Sequence, residues 1–429
     1  MRESCLSRRL GLGLAMLLAA GCVAWPASKL KVVRVRKVPP IGPPVWRVDL
    51  RAFGYADHVE QLWKTPAGAT LTTARGGSVF VDQHTLLVTF VRRVPGKMAS
   101  RDQLHETSPL RLQGVFFQTD SGRVVAQRDW GMSSPGSYVL TAYNGRFVLG
   151  LEQKLVLYSS ALEPLKELEL PPSGKLSKVG SQGVFRSPSG RTISLIHRQG
   201  GQFDYHVFDA ETLSALESWS APAMQFPTVA DDKLAVEYIR EDPHHLVVTS
   251  PRVEDSYPGE GIGFVWEGVA VGRVGGAWTV VCKGRCGSPI FVNNDVLAFW
   301  GDVDLWFIRA DGQPLSPKFR IGEYGAGRGD AIIGDMLRAS AQGERLAVPL
   351  FLVRPYIGGH PHMCDLVRVL VFDLPSGQWI GALEASQYKI ERICYPALSP
   401  DGALLALFRQ EGLVEVYRLP ASPAAPQAK

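Results

Sequence analysis

Short apolar runs alternate along this chain with tight clusters of Asp, Asn, Ser, Pro and Gly, and the alternation recurs. Val81-Asp82-Gln83-His84 precedes Leu86-Leu87-Val88, Tyr143-Asn144-Gly145-Arg146 precedes Phe147-Val148-Leu149, and Ser187-Pro188-Ser189-Gly190 precedes Ile193-Ser194-Leu195. The pattern returns at Asp231-Asp232-Lys233 before Leu234-Ala235-Val236, and at Val292-Asn293-Asn294-Asp295 before Val296-Leu297-Ala298. It closes with Ser340-Ala341-Gln342-Gly343 before Leu346-Ala347-Val348, and Ser399-Pro400-Asp401-Gly402 before Leu404-Leu405-Ala406. The turn residues reverse the chain, and an unbroken apolar run after each turn predicts a strand buried on both faces.

These seven units recur about every 40 to 60 residues, a spacing that suits propeller blades with loop insertions. A single unit cannot bury both faces of its strands, whereas a ring of stacked units can. A second element follows in several units: Val115-Phe116-Phe117-Gln118-Thr119-Asp120-Ser121-Gly122, Val207-Phe208-Asp209-Ala210-Glu211-Thr212, Leu305-Trp306-Phe307-Ile308-Arg309-Ala310-Asp311-Gly312, and Val371-Phe372-Asp373-Leu374-Pro375-Ser376-Gly377. In these residues the chain resembles the WD-repeat, YVTN and quinoprotein-like propeller superfamily, where such a third strand leads through a turn to an outer fourth one. The resemblance spans most of residues 75–419 and implies architecture; it transfers no catalytic residue. The expected fold is all-β, a seven-bladed β-propeller of four-stranded antiparallel blades over residues 46–420.

The last unit stops after Leu413-Val414-Glu415-Val416-Tyr417 without an outer strand. An unpaired edge invites aggregation, so an N-terminal strand is expected to close the ring. The candidates are Trp46-Arg47-Val48-Asp49-Leu50 and Val59-Glu60-Gln61-Leu62-Trp63.

Long insertions at Arg92 to Pro109, Pro251 to Gly261 and Arg354 to Asp365 are expected on the face opposite the short repeated turns, and binding residues favour such loops. Within the third insertion, Gly358-Gly359-His360-Pro361-His362-Met363-Cys364 sets two imidazoles close together, and Tyr356 offers an aromatic surface. Tyr356, His360 and His362 are therefore the candidate binding residues. Histidines beside an oxidised cysteine do not make a metal site, and neither a metal nor a cofactor is expected. Trp300 and Trp306 offer stacking surfaces as well, although such aromatics more often fill blade cores. A Gly-x-Ser-x-Gly elbow, a P-loop and an HExxH helix are all absent from the sequence.

Composition supports a folded, turn-dense chain: 429 residues, 45% hydrophobic and 20% charged, with 44 Gly and 30 Pro. A net charge of +5 is too mild to suggest nucleic acid as a partner. Arginines among residues 1–9 precede the apolar stretch Leu10 to Val23, the order of a bacterial signal peptide over residues 1–24. Leu18-Ala19-Ala20-Gly21-Cys22 resembles a lipobox, so either Cys22 is lipidated or ordinary cleavage follows Ala24; Ser7-Arg8-Arg9-Leu10-Gly11-Leu12 also has a twin-arginine look. Residues 25–45 form a basic, proline-rich stretch, read as a tether, a solvated linker or an edge strand, and residues 421–429 read as a tail. Four cysteines remain in the body, and in an exported chain they suggest disulfides Cys282–Cys286, flanking Lys283-Gly284-Arg285 read as a turn between units, and Cys364–Cys394, with Cys364 just before a third strand; free thiols are the alternative.

The expectation for function is an exported cell-envelope scaffold, in the periplasm or anchored facing it, that holds a protein or glycan partner on its long-loop face. Membrane contact would come only through an N-terminal lipid. The competing expectation is an enzyme, hydrolase, lyase or oxidoreductase, with its site in the central funnel. That requires several charged side chains from different blades to converge.

Overall fold

The computed structural model describes residues 30–55, 77–93, 110–132, 138–151, 154–170, 183–186, 191–199, 202–222, 235–239, 245–249, 252–256, 262–273, 278–286, 288–293, 295–301, 304–322, 324–325, 328–332, 337–342, 344–354, 363–384, 395–409 and 412–422. Their strands form seven separate sheets, called I to VII here in order of their first inner strands. Sheet I takes Gly77–Phe80, Thr85–Arg93, Leu110–Gln118 and Val124–Met132 in simple antiparallel order. Sheets II and III repeat that order from Val139–Tyr143 to Pro164–Glu169 and from Gly183–Arg186 to Ala215–Pro222. In sheet IV the second strand is split into His245–Thr249 and Arg252–Ser256, both paired with Ile262–Arg273. Sheet V runs from Ser288–Phe291 to Lys318–Arg320 and sheet VII from Tyr395–Leu398 to Leu413–Arg418; sheet VI takes Arg338–Ala339, Arg345–Arg354, Met363–Asp373 and Gln378–Glu384, with Arg328–Ile332 and Tyr324–Gly325 added beside the far half of Arg345–Arg354.

The ring closes as the missing outer strand required. Trp46–Asp49 lies antiparallel to Leu413–Arg418, pairing Trp46 with Val416 and Asp49 with Leu413, so the N-terminal side of the chain completes sheet VII. The other candidate, Val59 to Trp63, lies outside the described residues.

Buried apolar side chains fill the spaces between neighbouring sheets. Phe116 and Trp130 of sheet I meet Phe147 and Tyr158 of sheet II; Phe307 of sheet V stacks on Phe372 of sheet VI with ring centroids 4.6 Å apart. Leu405 and Tyr417 of sheet VII pack with Val369 and Val371 of sheet VI, while Ala406 and Val416 face Phe80 and Val88 of sheet I. Adjacent positions on one strand thus face different neighbours, which is why these strands read as continuous apolar runs rather than alternating ones. This is the architecture of a β-propeller, as the repeats led us to expect.

One backbone bond recurs at the turn end of the sheets. The residue just after the third strand donates its N–H to the carbonyl just before the second: Thr119 to His84 at 2.9 Å, Ala210 to Arg191 at 2.7 Å, Ala310 to Asp295 at 2.8 Å, Leu374 to Glu344 at 2.8 Å and Leu419 to Ala403 at 2.8 Å. Short polar side chains fold the turns themselves. Asp82 accepts from the His84 N–H at 2.7 Å, Asp209 from the Thr212 N–H at 2.8 Å, and Ser399 from the Leu404 N–H at 2.8 Å.

Three local expectations are corrected. In sheet IV the strand after Asp231-Asp232-Lys233 is Ala235–Ile239, the first strand of its sheet and not the second as in the other units. Turn composition marks a reversal without saying which reversal it is. The Pro251 to Gly261 insertion is largely a ladder extension, because Arg252–Ser256 pairs residue by residue with Ile262 to Trp266. Lys283-Gly284-Arg285 is not a turn between units but part of the outer strand Trp278–Cys286.

The stretch before sheet VII is an edge strap. Val32–Arg34 runs parallel to Lys318–Arg320 as a fifth strand of sheet V, and Pro40 then bridges Ala382 on the outer strand of sheet VI. The Ile41 N–H donates to the Ala382 carbonyl at 2.8 Å, and the Ala382 N–H to the Pro39 carbonyl at 2.8 Å. Val33, Val35 and Val38 face the core between sheets V and VI, and Ile41 is buried between VI and VII. Gly381 admits this close approach, since a Cβ there would lie 2.7 Å from Ile41 Cγ1.

Candidate functional site

Four of the short turns meet around one mouth beside the inner strands of their sheets. They enclose a cavity of about 390 Å³, lined by the inner strands and following turns of sheets VI, VII, I and II. Its polar groups are Ser78, Asp82 and Gln83 from sheet I, Tyr143 and Asn144 from sheet II, and Arg338 and Gln342 from sheet VI. Ala142, Ala339, Ala341 and Ala397 line it too, and their small side chains keep it open. That volume suits a small ligand or a single inserted side chain.

The sequence builds this rim for rigidity. Tyr143 and Arg146 pair across the two-residue turn Asn144-Gly145, whose positive φ values of 49° and 77° are those of a tight hairpin turn. Neighbouring turns are tied together by hydrogen bonds. The Gly145 N–H donates to the Val81 carbonyl at 3.1 Å, and the Gln342 N–H to the Pro400 carbonyl at 3.3 Å. Gln83, with its amide oriented to suit, donates to Asp401 Oδ1 at 3.1 Å and accepts from the Asp401 N–H at 3.1 Å. Asn144 Nδ2 continues the arc to Glu211 Oε1 of sheet III at 3.1 Å.

Both charged groups of the lining are already engaged within their own segments. Asp82 holds its turn through the His84 N–H, and the Arg338 guanidinium donates to the Leu337 carbonyl at 2.8 Å. The mouth therefore presents oriented amides, a phenol, a hydroxyl and a guanidinium on a fixed frame. Among the described residues no three His, Cys, Asp or Glu side chains group as metal ligands.

Two charged clusters brace the ring. Arg345, only 7% exposed, donates to the Gly402 carbonyl of sheet VII at 2.7 Å and lies 3.7 Å from Asp373. Burial pushes the Asp373 carboxyl up, but hydrogen bonds from Ser376 and Ser422 and the charge of Arg345 outweigh it, leaving its pKa below the usual carboxylate value. In sheet VII, Glu415 is buried at 2% exposure and accepts from Arg47 at 2.8 Å, Arg409 at 2.6 Å and the Tyr417 hydroxyl at 2.7 Å. Burial and the neighbouring Glu415 push the Tyr417 phenol up to about 12.

Tyr356, His360 and His362 lie outside the described residues, as do Cys22 and Cys394. Cys364 falls inside the third strand of sheet VI, opposite Val353, rather than just before it. Cys282 is fully buried between sheets IV and V, opposite Val269 on the neighbouring strand. Of the two tryptophans weighed as stacking surfaces, Trp306 is buried at 1% exposure, stacked on Phe299, while Trp300 is half-buried against the core between sheets V and VI. The cavity residues carried one sequence signal: Asp82, Gln83, Tyr143, Asn144 and Gln342 all belong to the repeated turns.

No family model and no curated protein matches the chain. Among solved structures it is similar to the C-terminal WD40 domain of Sif2, with a TM-score of 0.46 and 10% identity over 90% of this chain and 100% of that one. It is also similar to the Neurospora crassa Pan2 WD40 domain, with a TM-score of 0.45 and 7% identity over 92% and 100% of the two chains. Kluyveromyces lactis Hsv2 gives a TM-score of 0.42 and 14% identity over 74% and 91%. The β-propeller architecture rests on the sheets and the packing between them. No activity or partner passes to the chain from such distant neighbours.

Proposed function

We propose that this protein is an exported, cell-envelope binding scaffold that holds a protein or glycan partner, with the mouth between sheets VI, VII, I and II as its docking point. The observation that carries this reading is the cavity itself: a rim of four hydrogen-bonded turns, open through small side chains, with its carboxylate and guanidinium already bonded locally. Such a frame loses little entropy on binding, which favours recognition. Funnel chemistry needs convergent acid, base or nucleophile groups, and this lining supplies one carboxylate and one guanidinium, each bonded within its own segment, beside the Tyr143 phenol and the Ser78 hydroxyl.

Export rests on the leader-like residues 1–24 with Cys22 as the lipid acceptor, and on oxidised cysteines paired Cys282–Cys286 and Cys364–Cys394. Cys282 is buried and does not stand as a free thiol. Non-reducing peptide mapping should recover these two linked pairs; fully alkylatable cysteines would contradict the assignment.

The functional test is native mass spectrometry of the protein released gently from its own envelope. A retained protein or glycan mass is expected, and Ala341→Trp, which fills the mouth, should lose it. If the mass instead disappears with His360→Ala and His362→Ala and survives Ala341→Trp, the docking point is the long-loop face. A retained small molecule turned over on incubation would favour an enzyme.

A further inference from the structure

The strap gives the outer flank of sheet V a chemistry unlike the rest of the rim. Its residues alternate: Val33, Val35 and Val38 face the core, while Lys31, Val32, Arg34, Arg36 and Lys37 are exposed. Val32 is an exposed large apolar residue at 49%, set in a row of cations with no acidic residue between Lys29 and Arg47. The neighbouring outer strand adds Lys318 and Arg320, which among the described residues share the carboxylate Asp304, 2.9 Å from Arg320 and 3.8 Å from Lys318. Strand pairing places Arg34 beside Arg320 and Val32 beside Lys318, so the cations sit on a fixed ladder rather than a loose tether.

Chain position supplies the second observation. Eight residue steps separate Cys22 from Leu30, the first residue of the strap, a span of at most about 28 Å. The apolar stretch Leu10 to Val23 lies immediately before. Whatever holds that stretch or its cysteine at a bilayer holds the flank of sheet V close to the same bilayer.

We propose that the strap edge of sheet V, through Lys31, Arg36 and Lys37 with Val32 between them, docks on anionic phospholipid headgroups and so fixes the orientation of the propeller on the membrane. Each basic residue near an anionic surface adds to the attraction, and an exposed valine can seat among the headgroups. With this flank down, the ring axis lies roughly along the membrane and the mouth opens sideways, accessible to a partner. The proposal rests on the export reading for its setting but not for its chemistry.

The test uses residues 23–429, which contain every described strand and neither leader nor lipid. The protein should cosediment with phosphatidylglycerol-containing vesicles and not with pure phosphatidylcholine vesicles, and should dissociate as salt approaches about 1 M, where the Debye length falls to about 3 Å. Reversing Lys31→Glu, Arg36→Glu and Lys37→Glu should weaken binding by at least about tenfold. Reversing Lys154→Glu and Lys166→Glu on sheet II should not. Equal binding to neutral vesicles, or binding indifferent to the strap reversals while the thermal transition is unchanged, overturns the proposal. Should the native N-terminus prove to lack a lipid on Cys22, the anchor reading fails while the vesicle result stands.

Discussion

Trp46 donates its indole N–H to the Thr119 carbonyl at 2.8 Å, 73 residues along the chain. The bond joins the strand that completes sheet VII to the turn between the third and fourth strands of sheet I. The same ring lies 5.6 Å from Phe117, and Trp46 is buried at 8% exposure. The closing strand is therefore held by a neighbouring sheet as well as by its own ladder. Trp46→Ala should cost about 3–5 kcal/mol through the cavity it leaves, and Trp46→Phe about 1 kcal/mol through the lost hydrogen bond. Urea unfolding midpoints check both; a shift for Trp46→Ala no larger than for Trp46→Phe would mean that this ring does not close the structure.

Gly122 also sits against that indole. Its φ is +69°, and a Cβ there would meet Trp46 Cδ2 at 2.7 Å. Gly122→Ala combines a left-handed backbone with that clash, so a destabilisation of about 1–3 kcal/mol is expected, and the near-ultraviolet signal of the tryptophan should change with it.

Arg345 bridges sheets VI and VII from a position with little access to water. Arg345→Ala leaves Asp373, fully buried, without its cation, at an expected cost of about 3–5 kcal/mol. The depressed Asp373 pKa also fixes a pH dependence. A carboxyl held below its ordinary value stabilises the fold above about pH 4 and loses that contribution as pH falls through the folded value. Asp373→Asn should flatten the acid limb of a stability–pH curve.

Tyr417 predicts the alkaline limb. Its phenol ionises near pH 10 when unfolded and only near about 12 in the fold. The folded state keeps the proton longer, so stability falls as pH rises from about 10 towards 12. Tyr417→Phe should remove that slope, seen by unfolding measurements between about pH 10 and 12 against the parent protein.

Much of this fold was legible because turn chemistry and continuous apolar runs are local signals. Asp82, Asn144 and Ser399 announced their reversals, and the missing partner of Leu413–Arg418 required a strand that Trp46–Asp49 supplies. The frame error at Asp231 arose because a turn's composition does not record its rank in the sheet. The parallel pairing of Val32 with Lys318 was harder still, since it joins positions 286 residues apart with no turn to mark it. The cavity is the extreme case. Ala142, Ala339 and Ala397 are unremarkable singly, and only closure of the ring makes them one wall.

Photocrosslinking in intact cells from an aryl-azide side chain at Gln342, in the mouth, compared with one at Lys154 on the outer strands of sheet II, tests the central claim most directly. A discrete adduct from position 342 alone, lost when Ala341→Trp fills the cavity, is the predicted result. Adducts from position 154 alone, or none lost on filling the mouth, would place recognition elsewhere and contradict it.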